Sequence, residues 1–278
     1  MGRNVDASKR GFGWNPISKV LNIFRGGERH SGFAGFETLM ATPTVAATAE
    51  IGQLAQDPMG GYWRYCKAGA AISNPLYGAG FYTQPDDCTA GVTAAGSMTL
   101  AVSALGTTTG TVTENQFANG TIIIGGMADT NHRRFYHIKS NTGGGTAATT
   151  LTLYHPVQIA ILGTEWSTIV PNPWSDVRDM SAAAGYMSVV CFPLQTVTNA
   201  YYFWGKVRGP VFGVVYSTVP GAASNDRAIS TAPADGSIRM LDEAMAATST
   251  QHLGWLIPRT GSGSTYAGGD QTFMLQLE

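Results

Sequence analysis

The stretch TNAYYFWGKVRGPVFGVVY, residues 198–216, contains six aromatic residues and four valines in nineteen positions. From residue 200 to residue 208 the side chains alternate with the two-residue period of a β-strand. One face carries Tyr201, Phe203, Gly205 and Val207, and the other carries Tyr202, Trp204, Lys206 and Arg208. Gly209-Pro210 interrupts this pattern, because proline has no backbone donor and fixes φ. The stretch therefore predicts two strands that meet at a Gly-Pro corner within a β core.

Similar short runs, separated by Gly, Pro and Asn turns, fill the rest of the chain from residue 60 onward. In one of them, Arg133, Phe135, His137 and Lys139 oppose Arg134, Tyr136 and Ile138. These runs predict an all-β fold, a sandwich or barrel of about a dozen short antiparallel strands. We expect a β-rich body at residues 60–278, either as one domain or as two β subdomains that split near residues 165–195.

The first 59 residues read as an N-terminal arm and connector. Asn15-Pro16 and Gly26 have the types of residue that begin and end a helix. Between them the apolar residues recur at helical spacing, which predicts one short amphipathic helix. The apolar positions are Ile17, Val20, Leu21 and Phe24. A helix of about ten residues is marginal alone, so it must pack on its own domain or on a partner with an acidic or apolar groove. A membrane-surface helix is a weaker third reading.

Two groups of residues are candidates for binding a partner. The arm contributes Phe12, Trp14, Ile17, Leu21, Phe24 and Arg25. The body contributes Tyr202 and Trp204, which share a strand face with Lys206 and Arg208. That face has the composition of a surface that stacks sugars or bases beside positive charge, although aromatic stripes in strands are usually core.

Charge and composition exclude several classes of protein. The formal net charge of −1 argues against nucleic-acid binding over the whole surface, although residues 1–36 carry a local balance of +4. Charged residues make up 13% of the chain, about half of the ~25% that is typical, which suits a surface covered by neighbours. The sequence has no run of 18 apolar residues, so it predicts no transmembrane helix. The polar N-terminus does not resemble a signal peptide. We therefore expect synthesis in the cytoplasm.

The sequence contains no recognisable catalytic or cofactor motif. The cysteines Cys66, Cys88 and Cys191 lack metal-ligand spacing and are expected to be buried and apolar in role. His132 and His137 differ in strand parity, so they face opposite sides. Asp176, Arg178 and Asp179 suggest a local ion pair or a loop cation site. We expect no enzymatic activity, no cofactor and no metal.

Five segments carry a resemblance to the small β-structured virion proteins of tailed bacteriophages, particularly head decoration (capsid cement) proteins. They are residues 61–71 (GYWRYCKAGAA), 150–156 (TLTLYHP), 172–174 (NPW), 199–210 (NAYYFWGKVRGP) and the closing pair 253–255 and 273–277. The resemblance covers the chain from residue 60 to the end, and its motifs are packing and turn motifs. The arm lies outside it.

The resemblance implies a non-enzymatic virion protein that binds and stabilises an assembled capsid shell. Its partners would be the major capsid protein and copies of itself, as a trimer at local symmetry axes, with no membrane contact and no direct nucleic-acid role. Many weak contacts would add through multivalency at such junctions. The alternatives are a head fibre or tail component, or a carbohydrate- or receptor-binding β module that uses Tyr202 and Trp204.

Overall fold

The computed structural model describes most of the chain from residue 35 onward and three short backbone segments before it. The described residues are 12–15, 20–25, 28–30, 35–82, 85–105, 111–125, 133–143, 147–163, 165–180, 187–216, 227–232, 235–241, 251–257 and 271–278. Strands account for 50% of the structure and helix for 2%, which confirms the all-β prediction. The chain forms two compact units, residues 1–82 with 174–278 and residues 83–173.

The N-terminal segment forms strands where a helix was predicted. Strands β1 (Phe12–Asn15), β2 (Val20–Arg25) and β3 (Glu28–His30) make an antiparallel sheet in the order β1-β2-β3. The predicted helix is therefore wrong from Val20 onward, and Ile17 lies outside the described residues. Val20 and Ile23 are β-branched, which favours a strand over a short helix that has few hydrogen bonds of its own.

The connector contributes both a helical turn and a strand. Helix α1 spans Phe36–Leu39, and strand β4 spans Leu54–Gln56 and pairs with β5 (Tyr62–Lys67). The sheet therefore starts at residue 54 and not at residue 60. Leu39, Ala55 and Trp63 bury one another in a small cluster, so the connector is part of the folded body.

The first unit is built on a seven-stranded antiparallel sheet in the order β17-β16-β18-β19-β15-β5-β4. Its further strands are β15 (Tyr202–Gly213), β16 (Ala228–Thr231), β17 (Ile238–Met240), β18 (His252–Leu256) and β19 (Gln271–Gln276). A three-stranded sheet packs against it, in the order β13 (Val177–Asp179), β6 (Ala79–Phe81) and β14 (Ser188–Cys191). Phe203, Val207 and Phe273 are among the buried residues between them.

Strand β15 is continuous through Gly209-Pro210, so the predicted Gly-Pro corner is wrong. The strand changes partners instead: Tyr202 to Arg208 pair with β5, and Arg208 to Gly213 pair with β19. The Leu277 N–H donates to the Val207 carbonyl, so the backbone polar groups of Val207 face β19. Because these groups alternate along a strand, those of Pro210 face away from β19, and its lack of an N–H costs no hydrogen bond there. Gly209 has φ +104°, and a Cβ there would come within 2.9 Å of the Gly61 Cα. Glycine therefore lets the two backbones approach where β5 begins.

The second unit is inserted between two paired strands of the first. The chain leaves after β6 and returns before β13, and these strands are antiparallel neighbours. The return, between Pro173 and Trp174, falls inside the interval 165–195, whereas the departure after Tyr82 was not predicted.

The inserted unit is a closed barrel of six antiparallel strands, in the order β7-β8-β11-β10-β9-β12 and back to β7. Its strands are β7 (Asp86–Ala90), β8 (Thr99–Ser103), β9 (Thr121–Gly125), β10 (Arg133–Asn141), β11 (Ala148–Leu153) and β12 (Trp166–Val170). Leu100, Ile122, Ile138 and Leu151 are fully buried inside. The alternation predicted for residues 133–139 is confirmed, because Tyr136 and Ile138 face this core and Phe135 and His137 are exposed.

The three thiols are buried, as expected. The Sγ atoms of Cys66 and Cys191 lie 3.9 Å apart between the two sheets of the first unit. Burial raises the pKa of Cys66 well above its ordinary value, and burial raises the pKa of Cys88 to about 11.

Because thiolate is the reactive form of cysteine, we expect the three buried thiols of the native protein to resist a reagent such as DTNB at pH 8. All three thiols should react in guanidinium chloride, and rapid native labelling of any of them would contradict the burial.

Candidate interaction surfaces

Tyr202 and Trp204 are half-buried against residues of their own chain. The Tyr202 ring stacks on Tyr65 with centroids 5.8 Å apart and an interplanar angle of 8°. The Trp204 ring lies 5.0 Å from the same tyrosine and packs against the cluster of Leu39, Ala55 and Trp63. Thr44 and Tyr202 also exchange two backbone hydrogen bonds, of 3.1 and 2.7 Å. These contacts place both candidate residues beneath the connector, and not on an open groove.

Lys206, on the same strand face, is buried beside Asp57. Only 6% of Lys206 and 1% of Asp57 is exposed, and Nζ lies 3.5 Å from Oδ2. Asp57 Oδ1 accepts hydrogen bonds from the N–H groups of Met59 and Gly61, and Oδ2 accepts one from Trp63 Nε1. The carboxylate closes the turn between β4 and β5, so the pair has a structural role.

The pKa values of Asp57 and Lys206 are both lowered, but for different reasons. Burial opposes the charged form of Asp57, but the hydrogen bonds from Trp63 and the backbone, with Lys206, hold its pKa below the ordinary value of 3.8. Burial also lowers the pKa of Lys206, and the attraction of Asp57 only partly offsets this. The carboxylate has several donors, whereas the ammonium has this single carboxylate at a long distance.

Beyond Lys206, the same sheet face is open. Pro210, Met274 and Trp255 are directly opposite one another on β15, β19 and β18. Trp255 is 42% exposed, and Phe212, two residues after Pro210 on β15, is 56% exposed. We call these four residues the open sheet face. Arg208 borders them, with its guanidinium 5.5 Å from the centre of the Tyr62 ring.

Sequence reasoning missed Trp255 as a surface residue. Gly254 has φ +142°, and Leu253 and Gly254 are both buried, so the simple alternation of the strand fails there. The available signal was the glycine itself, which often marks a bulge in a strand.

A second exposed surface lies on the outside of the barrel. Arg133, Phe135, His137 and Lys139 point outward along β10. Beside them Trp166 is 43% exposed and lies across Gly125, where a Cβ would overlap the indole ring. The Arg133 guanidinium lies 6.0 Å from the centre of that ring. We call Arg133, Phe135, His137, Lys139 and Trp166 the β10 face.

Two further groups of candidate residues were predicted, one in the N-terminal arm and one around Arg178. The side chains of Phe12, Trp14, Leu21, Phe24 and Arg25 lie outside the described part of the structure. Arg178 pairs with Asp176 at 2.7 Å, which is the local ion pair that the sequence suggested.

Among the residues that the structure describes, no group of three or more His, Cys, Asp or Glu side chains is placed to hold a metal ion. Within the same residues, no helix has the length and apolarity needed to cross a membrane.

Compared with known proteins, the chain matches no family model, no curated protein and no solved structure.

Proposed function

We propose that this chain is a non-enzymatic structural component of a tailed-bacteriophage particle, which binds and stabilises the assembled capsid shell as a decoration protein. Its partners in the virion are the major capsid protein and further copies of itself, as a homotrimer. The proposal starts from the sequence resemblance. Two of the segments that carry it, residues 61–71 and 199–210, contain β5 and most of β15, which pair with each other in the seven-stranded sheet.

The open sheet face is the observation that carries the proposal. An exposed Trp and an exposed Phe on one sheet face, with one strand between them, are typical of a surface that a protein partner covers. Trp is also the residue type most enriched among those that dominate binding energy. The face is built on paired strands of the seven-stranded sheet, so it is held in place before a partner arrives, which limits the entropy lost on binding.

The N-terminal arm is the second part of the proposed contact. Phe12, Trp14, Ile17, Leu21, Phe24 and Arg25 would dock on a neighbouring subunit, now as a segment that contains strands. The positive balance of residues 1–36 suits an acidic groove on that neighbour.

Binding to purified shells stripped of this protein tests the function. We expect the wild-type chain to co-sediment with shells, and the double variant Phe212→Ala with Trp255→Ala to bind at least tenfold more weakly, because truncating such anchors costs about 2 kcal/mol or more each. Deleting residues 1–34 should also weaken binding. Val45→Ala, which truncates a more exposed apolar side chain of the connector, should bind like the wild type.

Two outcomes would count against the proposal. If the wild-type chain fails to bind shells, the decoration role is wrong. If the particle contains a dozen copies or fewer, the chain is a head fibre or tail component, since a decoration protein is expected in hundreds of copies.

A further inference from the structure

The barrel concentrates its positive charge on one strand. Residues 83–173 contain three Lys and Arg residues, and all three, Arg133, Arg134 and Lys139, belong to β10. Arg134 is directed to Glu165, 3.4 Å away, and to the carbonyl of Ile159. The other two lie on the β10 face, where both are exposed. The net charge of the whole chain conceals this local asymmetry.

One aromatic ring lies between these charges and a second lies beside Arg133. Along β10 the outward order is Arg133, Phe135, His137 and Lys139, with alternate residues about 6.8 Å apart. Phe135 is 63% exposed, and Trp166 adds a second ring beside Arg133. The His137 Nδ1 lies 3.3 Å from the Thr121 hydroxyl, which orients the imidazole on the face.

We propose that the β10 face binds single-stranded nucleic acid. Bases stack on Phe135 and Trp166, while Arg133, between the two rings, and Lys139, beyond His137, contact the phosphates. Exposed rings interleaved with cations are the means by which strand faces hold single strands without reading their sequence. The rings are presented on the outside of a closed barrel, where planar bases can reach them. This site is separate from the open sheet face, and the proposal does not depend on shell binding.

The net charge argues against nucleic-acid binding over the whole surface, and the resemblance implies no direct nucleic-acid role, whereas the β10 face is one local site that neither the net charge nor the resemblance addresses. A site with two cations makes few phosphate contacts, so binding should be modest. For single strands the logarithm of affinity falls with the logarithm of salt concentration with a slope of about −0.7 per phosphate contact. Two contacts give a slope of about −1.4.

Fluorescence anisotropy with the full chain and a labelled dT20 oligonucleotide at 20–200 mM salt tests the proposal. We expect saturable binding with a slope near −1.4, and a decrease of about 0.7 in its magnitude for Lys139→Ala. Phe135→Ala and Trp166→Ala should each weaken binding at least about fivefold, because stacking on one ring stabilises a bound base substantially. Val92→Ala, another exposed apolar residue of the barrel, should bind like the wild type, and circular dichroism should show that every variant is folded.

Three results would overturn the proposal: no binding at 20 mM salt, binding unchanged by Phe135→Ala and Trp166→Ala, or equal competition by polyglutamate. Equal competition by polyglutamate would assign the face to an acidic protein surface. Weaker competition by a duplex of the same length than by dT20 would support the single-strand assignment, because paired bases cannot stack on the rings.

Discussion

Replacing Asp57 by alanine is expected to lower the free energy of unfolding by about 3–5 kcal/mol. The change leaves the Lys206 ammonium buried without its carboxylate, and breaking one partner of a buried ion pair has an effect of this size. It also removes the acceptor for the Gly61 N–H and the Trp63 indole N–H, both buried. Urea denaturation measures the change as a lower midpoint at constant slope.

Two controls separate the buried pair from a general loss of charge. Glu50→Ala removes an exposed carboxylate from the same connector, and should change stability by about 0.5 kcal/mol or less. Adding Lys206→Met to Asp57→Ala should recover part of the loss, since the uncompensated charge is then gone. If Asp57→Ala costs less than about 1 kcal/mol, the pair does not organise this part of the sheet.

The same carboxylate has an expected pH signature. Because the folded-state pKa of Asp57 is below its ordinary value, its contribution is fully present above the unfolded pKa of about 3.9 and is lost as pH falls through the lower folded pKa. The stability gap between wild type and Asp57→Asn should therefore be constant from pH 7 to about pH 5 and narrow in acid below that. A gap that widens in acid would contradict the direction of the shift.

Replacing Gly254 by alanine is expected to lower the free energy of unfolding by about 3–5 kcal/mol. Its φ of +142° is a conformation that side chains with a Cβ rarely adopt, and the added Cβ would overlap the Met274 carbonyl on β19. A backbone atom in a central strand cannot move aside without disturbing the β18–β19 pairing, so overpacking adds to the conformational cost.

Gly60→Ala is the matched control for this substitution. Gly60 also has positive φ, at +84°, but the nearest atom to an added Cβ is 3.9 Å away. Its cost should be about 1–2 kcal/mol, the conformational part alone. Equal effects of the two substitutions in a denaturation experiment would show that the approach to Met274 is not the deciding term.

Local pattern was informative wherever a strand stayed regular. Phe203 and Val207 were assigned to one face of their strand, and Phe135 and His137 to the side away from Tyr136. A strand directs alternate residues to opposite sides whatever its partners are. The same reasoning failed at Gly209-Pro210, because a proline is compatible with a strand when its missing donor faces away from the neighbour. It also failed at Val20, where sheet pairing gave the segment hydrogen bonds that a short helix lacks.

The exposure of Tyr202 and Trp204 could not be predicted from the pattern of neighbouring residues in the sequence. Both were correctly placed on the face opposite Phe203, but that face is covered near them by the connector and is open further along β15, at Phe212. Which part is covered depends on where residues 35–59 pack, and such contacts are formed between residues far apart in the sequence.

The amino-acid sequence by itself determined the all-β class, the alternation of its main strands and the burial of its cysteines, because these depend on residue type and on a two-residue period. Only the tertiary structure decided that β15 is one strand shared by two neighbours, that a six-stranded barrel is inserted between β6 and β13, and which aromatic residues remain exposed. Those features come from strand pairing across long separations, where the order of strands and the position of a covering segment leave no periodic mark in the sequence.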